Sequence, residues 1–173
     1  MKKYQYTPRL IYFTGLSSSG KTTLSELLSK KLKTLGIRTK VIDGDVFRKR
    51  FKLDKYDSKS REKVVFKKFT YAETYLKKGY MTITSGVGAK IKSRKHIRNN
   101  FNNFIEIRII CPLRICALRD KKNLYSKKKI INSVNTKYEK GHTHDLTVNT
   151  YIESKSQNIK KIINYFILKK IIF

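Results

Sequence analysis

The sequence predicts an α/β fold in which a parallel β-sheet lies between two layers of helices. Short apolar segments alternate along the chain with longer segments whose apolar residues recur at helical spacing. The short segments are almost continuously apolar, which is typical of strands buried on both faces of a sheet. With 173 residues, of which 39% are hydrophobic, the chain can bury a core, and we expect residues 1–173 to form one domain.

The first half of the chain contains three predicted strands and two predicted helices. The strands are expected at residues 9–14, 39–42 and 80–84, where β-branched and aromatic residues cluster. The helices are expected at residues 21–35 and 58–78. Gly36 and Gly79 follow them and would end them.

The second half continues the alternation. We expect a basic helix at residues 91–99, a strand at 104–110 and a further helix with Pro112 in its first turn. Residues 119–143 are rich in charge and poor in apolar periodicity, so they are predicted to form a mobile lid. A short strand at 146–148 and an amphipathic helix at 154–169 complete the prediction.

A phosphate-binding motif lies between the first strand and the first helix. Residues 15–22 read G-L-S-S-S-G-K-T and fit G-x-x-x-x-G-K-[ST], which predicts the P-loop NTPase type of three-layer α/β/α fold. Main-chain N–H groups of such a loop surround phosphate, its lysine reaches the β- and γ-phosphates, and its hydroxyl residue ligates Mg²⁺. The sequence thus predicts binding of ATP with Mg²⁺. The predicted nucleotide-binding residues of the loop are Gly15, Ser17, Ser18, Ser19, Gly20, Lys21, Thr22 and Thr23, and Thr22 is the predicted metal ligand.

Two carboxylates follow the second predicted strand, in the sequence Asp43-Gly44-Asp45. In doubly wound sheets this carboxyl edge is where ligands bind. One carboxylate could hold Mg²⁺ through water while the other accepts the proton of an attacking hydroxyl. The alternative is a turn that only caps the next helix.

Several motifs together resemble the adenylylsulfate kinase family, over residues 10–150. They are residues 15–23, Asp43-Gly44-Asp45 with Arg48, Tyr56 and Arg61, the Cys-Pro-Leu of 111–113, and the Arg-Asp-Lys-Lys-Asn-Leu-Tyr of 119–125. The resemblance implies transfer of the γ-phosphate of MgATP to the 3′-hydroxyl of adenosine 5′-phosphosulfate, which gives 3′-phosphoadenosine 5′-phosphosulfate.

The resemblance also implies roles for individual residues. Asp45 would be the general base and Asp43 would organise the metal. Lys21 and Lys122 would neutralise charge in the transition state. Arg119 would lie near the base of ATP. The substrate-binding residues implied for the acceptor are Arg48, Tyr56, which would stack on the acceptor base, Arg61, Arg94 and Lys122.

Departures from the family pattern fall on the acceptor side. A family Asn is replaced by Val64, and an Ile-Ser-Pro stretch by the Val-Gly-Ala of 87–89. Asn123 replaces a family glycine, and residues 131–135 lack the family's lid aromatic. Two acceptors therefore stay open: adenosine 5′-phosphosulfate, and another 5′-activated nucleotide such as cytidine diphosphoramidate.

The chain is strongly basic, with 41 Lys or Arg against 12 Asp or Glu and a net charge of +29. The lysines are spread along the whole chain, which favours a compositional origin over a dedicated nucleic-acid groove. A basic nucleic-acid-binding P-loop module remains the alternative from another class. We expect a cytoplasmic protein, because the apolar run after the first lysines, residues 10–13, is only as long as a strand and its removal as a leader would destroy the fold. No membrane partner is expected, since no apolar stretch approaches bilayer length. The resemblance also implies a homodimer as a candidate assembly, because family members often dimerise.

Overall fold

The protein contains a five-stranded parallel sheet. The computed structural model describes residues 4–53, 58–121, 123, 125, 138, 139, 141 and 144–173, and only the backbone of residues 58–62. The strands are β1 (Leu10–Thr14), β2 (Thr39–Ile42), β3 (Met81–Gly86), β4 (Phe104–Ile110) and β5 (Leu146–Asn149). Their order is β2-β3-β1-β4-β5, and every neighbouring pair is parallel. The predicted α/β fold is therefore confirmed.

Helices connect the strands. They are α1 (Lys21–Thr34), α2 (Gly44–Arg50), α3 (Ser58–Lys77), α4 (Ile91–Asn100), α5 (Leu113–Leu118) and α6 (Lys155–Leu168). Ser154 caps α6 in a reciprocal box with Gln157, so that this helix begins where the sequence predicts. Pro112 is the N-cap of α5, one position before the predicted first turn. Helix α2 was not predicted, because its seven residues are too few to show a helical period.

Both faces of the sheet are covered, which explains the continuous apolar strands. In β1, Ile11 and Phe13 pack in the core cluster that contains apolar residues of α1 and α6, including Leu28 and Phe166. Leu10 and Tyr12 point to the opposite cluster, which contains residues of α3 and α4. Every residue of β1 is buried. The central strand consequently has no polar face, and function is confined to the ends of the strands.

Strand register brings three loops together at the carboxyl edge. Thr14 at the end of β1 pairs with Gly86 of β3, and Ile42 at the end of β2 pairs with Thr84 of β3. Strand β3 therefore separates the loop after β1 from the loop after β2 by about 10 Å, which is two strand spacings. Within the described part of the chain, every helix is too short or too polar to cross a bilayer.

Candidate active site

The loop between β1 and α1 has the backbone conformation that the motif predicts. Gly15 has φ 147° and Gly20 has φ 96°, both in the region that side chains disfavour. A methyl group at Gly15 would also lie 2.8 Å from the main-chain oxygen of Ile109 in β4. The Gly15 amide donates to the Val87 oxygen at 3.1 Å, so the loop is fixed to the chain that follows β3. These two glycines therefore allow a tight loop against the sheet.

The N-terminus of α1 is not capped by a side chain. Gly20 is its N-cap, and the first turn contains no acidic residue. The first amides of a helix have no partners within the helix, and the helix dipole makes them favourable for an anion. The side chains of Thr22 and Thr23 are exposed in this turn. The arrangement can therefore bind a phosphate group.

Lys21 folds back onto its own loop. Its Nζ donates to the main-chain oxygen of Gly15, at 3.0 Å, and to that of Leu16. Burial lowers the pKa of Lys21 from its ordinary value of 10.5 to about 8, and the neighbouring Cys116 opposes this shift. The ammonium thus lies within the loop that would hold the phosphates.

A residue that follows β5 contacts the loop between β1 and α1. Thr150, which directly follows β5, donates from Oγ1 to the Ser19 oxygen at 2.8 Å. Arg119 at the end of α5 donates from Nη2 to the Thr150 main-chain oxygen at 3.0 Å. Arg119 therefore lies beside the residue that contacts the loop, and its contact with the base of ATP stays a prediction.

Asp120 and Tyr125 also contact the loop, although the sequence motifs predict no role for either residue. Ser18 Oγ donates to Asp120 Oδ1 at 3.4 Å. The Tyr125 hydroxyl donates to the Ser17 oxygen at 2.8 Å, and the Tyr125 amide donates to Asp120 Oδ2, also at 2.8 Å. Their place in the quoted Arg-Asp-Lys-Lys-Asn-Leu-Tyr motif was the only signal in the sequence.

Asp43 and Asp45 lie where β2 ends and α2 begins. Asp43 Oδ1 accepts from the amides of Asp45, at 2.9 Å, and Val46, at 3.1 Å, so Asp43 is the N-cap of α2. The capping alternative is therefore realised for this oxygen. The Asp45 side chain is exposed in the first turn of α2. Both carboxylates lie at the same edge as the phosphate-binding loop.

Arg94 differs from the expectation. Its side chain is 1% exposed, and its Nε lies 3.2 Å from Glu106 Oε1, while Nη2 donates to the Glu139 oxygen at 2.8 Å. Its guanidinium carbon lies 4.7 Å from the centre of the Tyr138 ring. This geometry gives the predicted substrate contact of Arg94 no support, because the guanidinium is directed to interior partners.

Comparison with known proteins identifies the family. A sequence model of the Adenylylsulphate kinase family matches residues 7–149. The chain belongs to this family. The adenylyl-sulfate kinase of Clostridium acetobutylicum is 32% identical over 170 residues, which are 94% of this chain and 85% of the relative. That of Thermodesulfovibrio yellowstonii is 30% identical over 164 residues, which are 90% of this chain and 82% of the relative.

A solved structure of an adenylylsulphate kinase has the same fold. The Mycobacterium tuberculosis APS kinase CysC, in complex with AMPPNP and APS, superposes with a TM-score of 0.83. The match covers 94% of this chain and 99% of that chain, at 23% sequence identity. The likeness covers nearly the whole chain, and at this sequence identity it shows the fold alone.

Only part of the acceptor side predicted for this adenylylsulphate kinase family member lies within the described residues. Arg48 of α2 is half-buried, and its Nη1 donates to the Leu53 oxygen at 3.0 Å. Tyr56 and Lys122 lie outside the described residues, as does the side chain of Arg61. Most of the predicted lid, residues 119–143, also lies outside them. The contributions of Tyr56, Arg61 and Lys122 therefore stay predictions.

Lys68 of α3 is a charged residue at this edge that apolar periodicity did not reveal. It is 4% exposed, and its Nζ donates to the Ser85 oxygen near the end of β3 at 2.6 Å. The signal that could have found it is a lysine four residues from both Val64 and Ala72, on the buried face of the helix.

Proposed function

We propose that this protein is an ATP-dependent adenylylsulfate kinase. It transfers the γ-phosphoryl group of ATP to the 3′-hydroxyl of adenosine 5′-phosphosulfate and releases ADP. The observation that carries this proposal is the position of two carboxylates, Asp43 and Asp45, at the sheet edge that also carries the uncapped N-terminus of α1. A phosphate-binding cradle and a candidate base thus lie at one edge of the sheet, in a chain of the adenylylsulphate kinase family.

The donor side would be formed by the loop after β1. The amides of Ser17, Ser18, Ser19, Gly20 and Thr23 would bind the phosphates, and Lys21 would turn from its own loop towards the γ-phosphate. Arg119 would contact the base of ATP from its place beside Thr150. The transferring phosphoryl group gains negative charge near Lys21, so an ammonium there favours the transition state.

The acceptor side would be formed by α2 and the residues after it. Asp45 would accept the proton of the 3′-hydroxyl while that oxygen bonds to the γ-phosphorus and the bond to ADP breaks. Arg48 and Arg61 would bind the charged 5′ group, Tyr56 would stack on the base, and Lys122 would neutralise charge on the phosphoryl group.

The residues present fit a magnesium ion. Magnesium prefers oxygen ligands and is usually held by one or two side chains together with phosphates and water. The Thr22 hydroxyl is exposed in the first turn of α1, and Asp43 is a hard oxygen donor whose Oδ1 also caps α2. Among the described residues, no three His, Cys, Asp or Glu side chains are grouped so that they could hold a metal ion by themselves. When bound, Mg²⁺ neutralises charge on the β- and γ-phosphates.

Adenosine 5′-phosphosulfate is favoured over a cytidine acceptor by the relatives. Both cited relatives carry the name adenylyl-sulfate kinase, at 32% and 30% identity. A cytoplasmic location stays a prediction from the sequence.

The test is turnover of ATP against a panel of 5′-substituted nucleotides that includes adenosine 5′-phosphosulfate and cytidine diphosphate derivatives. Chromatography with mass spectrometry should identify 3′-phosphoadenosine 5′-phosphosulfate as the product, and Lys21→Ala should abolish its formation. Preferred phosphorylation of a cytidine nucleotide would overturn the acceptor. Salt-sensitive RNA binding without phosphorylation of any nucleotide would favour the nucleic-acid-binding module.

A further inference from the structure

A lysine lies on the buried face of α3. Val64, Lys68 and Ala72 follow one another at intervals of four residues and are 7%, 4% and 0% exposed. Neighbouring residues of that face, such as Phe69, belong to the apolar core cluster. Burial of an ammonium ion is costly unless nearby groups compensate for the lost water. A buried ammonium at this position therefore needs polar or charged partners, which an apolar side chain would not need.

The Lys68 ammonium lies at the end of β3, beside the acidic turn of residues 43–45. Its acceptor is the Ser85 oxygen, at 2.6 Å, and Ser85 pairs in register with Phe13, two residues before Gly15. On the other side, a methyl group at Gly44 would lie 3.9 Å from that same Ser85 oxygen. Since Gly44 stands between Asp43 and Asp45, the ammonium is close to the first turn of α2.

The charged groups that act on Lys68 come from α1 and from α2 with its N-cap. The carboxylates of Asp43 and Asp45 favour its charged form, whereas Arg48 and Lys21 oppose it. The centres of the Tyr12 and Phe69 rings each lie 5.6 Å from Nζ, so aromatic side chains pack against the ammonium. Burial is the main reason why the pKa of Lys68 falls from 10.5 to about 8. Lys68 is thus mostly protonated at neutral pH.

We propose that Lys68 is a positioning residue for phosphoryl transfer, whose ammonium holds the Asp43-Gly44-Asp45 turn in place against the end of β3. Two carboxylates two residues apart repel each other, and a cation beneath them reduces that repulsion. The inference rests on the proposed function, because it assigns Lys68 to the turn that would supply the base.

The first test compares Lys68→Met with Lys67→Met. Lys67 is the exposed neighbour on the same helix, so its variant removes the same charge from the protein surface. In Lys68→Met, kcat should fall about 100-fold, as for other misplaced catalytic groups, with little change in the KM for ATP. The melting temperature should stay equal or rise, because an apolar chain of similar length replaces a buried ion. Lys67→Met should match the wild type.

The second test is chemical rescue of Lys68→Ala. Propylammonium, which replaces the deleted part of the side chain, should restore kcat with saturation, whereas propanol should not. Unchanged kcat in Lys68→Met, or joint loss of stability and activity without rescue by the amine, overturns the inference and leaves the proposed function standing. A wild-type protein that does not phosphorylate adenosine 5′-phosphosulfate overturns both.

Discussion

Arg94 and Glu106 form an ion pair in the interior, with Arg94 Nε 3.2 Å from Glu106 Oε1. Thr14, the last residue of β1, donates from Oγ1 to the same carboxylate oxygen at 3.0 Å. The Tyr138 hydroxyl lies 3.0 Å from Thr14 Oγ1. The pair therefore ties α4 and β4 to the strand end from which the phosphate-binding loop starts.

Replacement of Arg94 by leucine should strongly destabilise the protein. The Glu106 carboxylate would remain buried without its counter-ion, which typically costs about 3–5 kcal/mol of the free energy of unfolding. Urea denaturation measures the loss. The control is Arg98→Leu on the same helix, whose pair with Asp145 is about one-third exposed, at 33% and 27%, and should matter little. Equal losses in the two variants would show that burial of the Arg94 pair has no special weight.

Asp45→Asn should separate nucleotide binding from turnover. The amide keeps the shape of the exposed side chain but cannot take a proton, so kcat should fall by a factor of about 10²–10⁴. The dissociation constant of ATP, measured by calorimetry, should stay nearly unchanged. Glu26→Gln, an exposed neutralisation on α1, serves as the control. Full activity in Asp45→Asn would refute the assignment of the base.

Stability should rise with pH above neutrality. The pKa of Lys68 is about 8 in the folded protein and 10.5 ordinarily, so the unfolded chain binds more protons between these values. Within that window the free energy of unfolding should increase with pH, by at most about 1.4 kcal/mol per pH unit for this group. Lys21, with a pKa of about 8, contributes in the same direction. Urea denaturation from pH 7 to 9.5 tests this, and Lys68→Met should have the flatter slope.

Thr150→Val should weaken nucleotide binding without removing turnover. The valine keeps the volume but loses the hydrogen bond to the Ser19 oxygen, which is worth about 0.5–1.5 kcal/mol. The KM for ATP should rise several-fold while kcat changes less. Thr34→Val, which removes an exposed hydroxyl contact at the far end of α1, should leave both constants as they are. An equal effect of the two substitutions would show that the hydrogen bond of Thr150 to the loop does not support nucleotide binding.

Local patterns predicted the sheet and the phosphate-binding loop, whereas contacts between distant segments escaped sequence analysis. The Gly15 and Gly20 conformations follow from a short motif. The burial of Arg94 depends on Glu106, which lies on a different element and has no recognisable spacing from it. The burial of Lys68 has no signal in the periodicity of apolar residues, and the seven residues of α2 are too few to show a helical period.

Ser19 and Thr150 meet although 131 positions separate them along the chain. A growing polypeptide on the ribosome therefore exposes its glycine-rich turn long before the residue that braces it has been made. Tight capture of ATP should consequently begin only after Thr150 has been made. Ligand affinity of nascent chains halted at successive lengths would then report the moment at which the last strand docks.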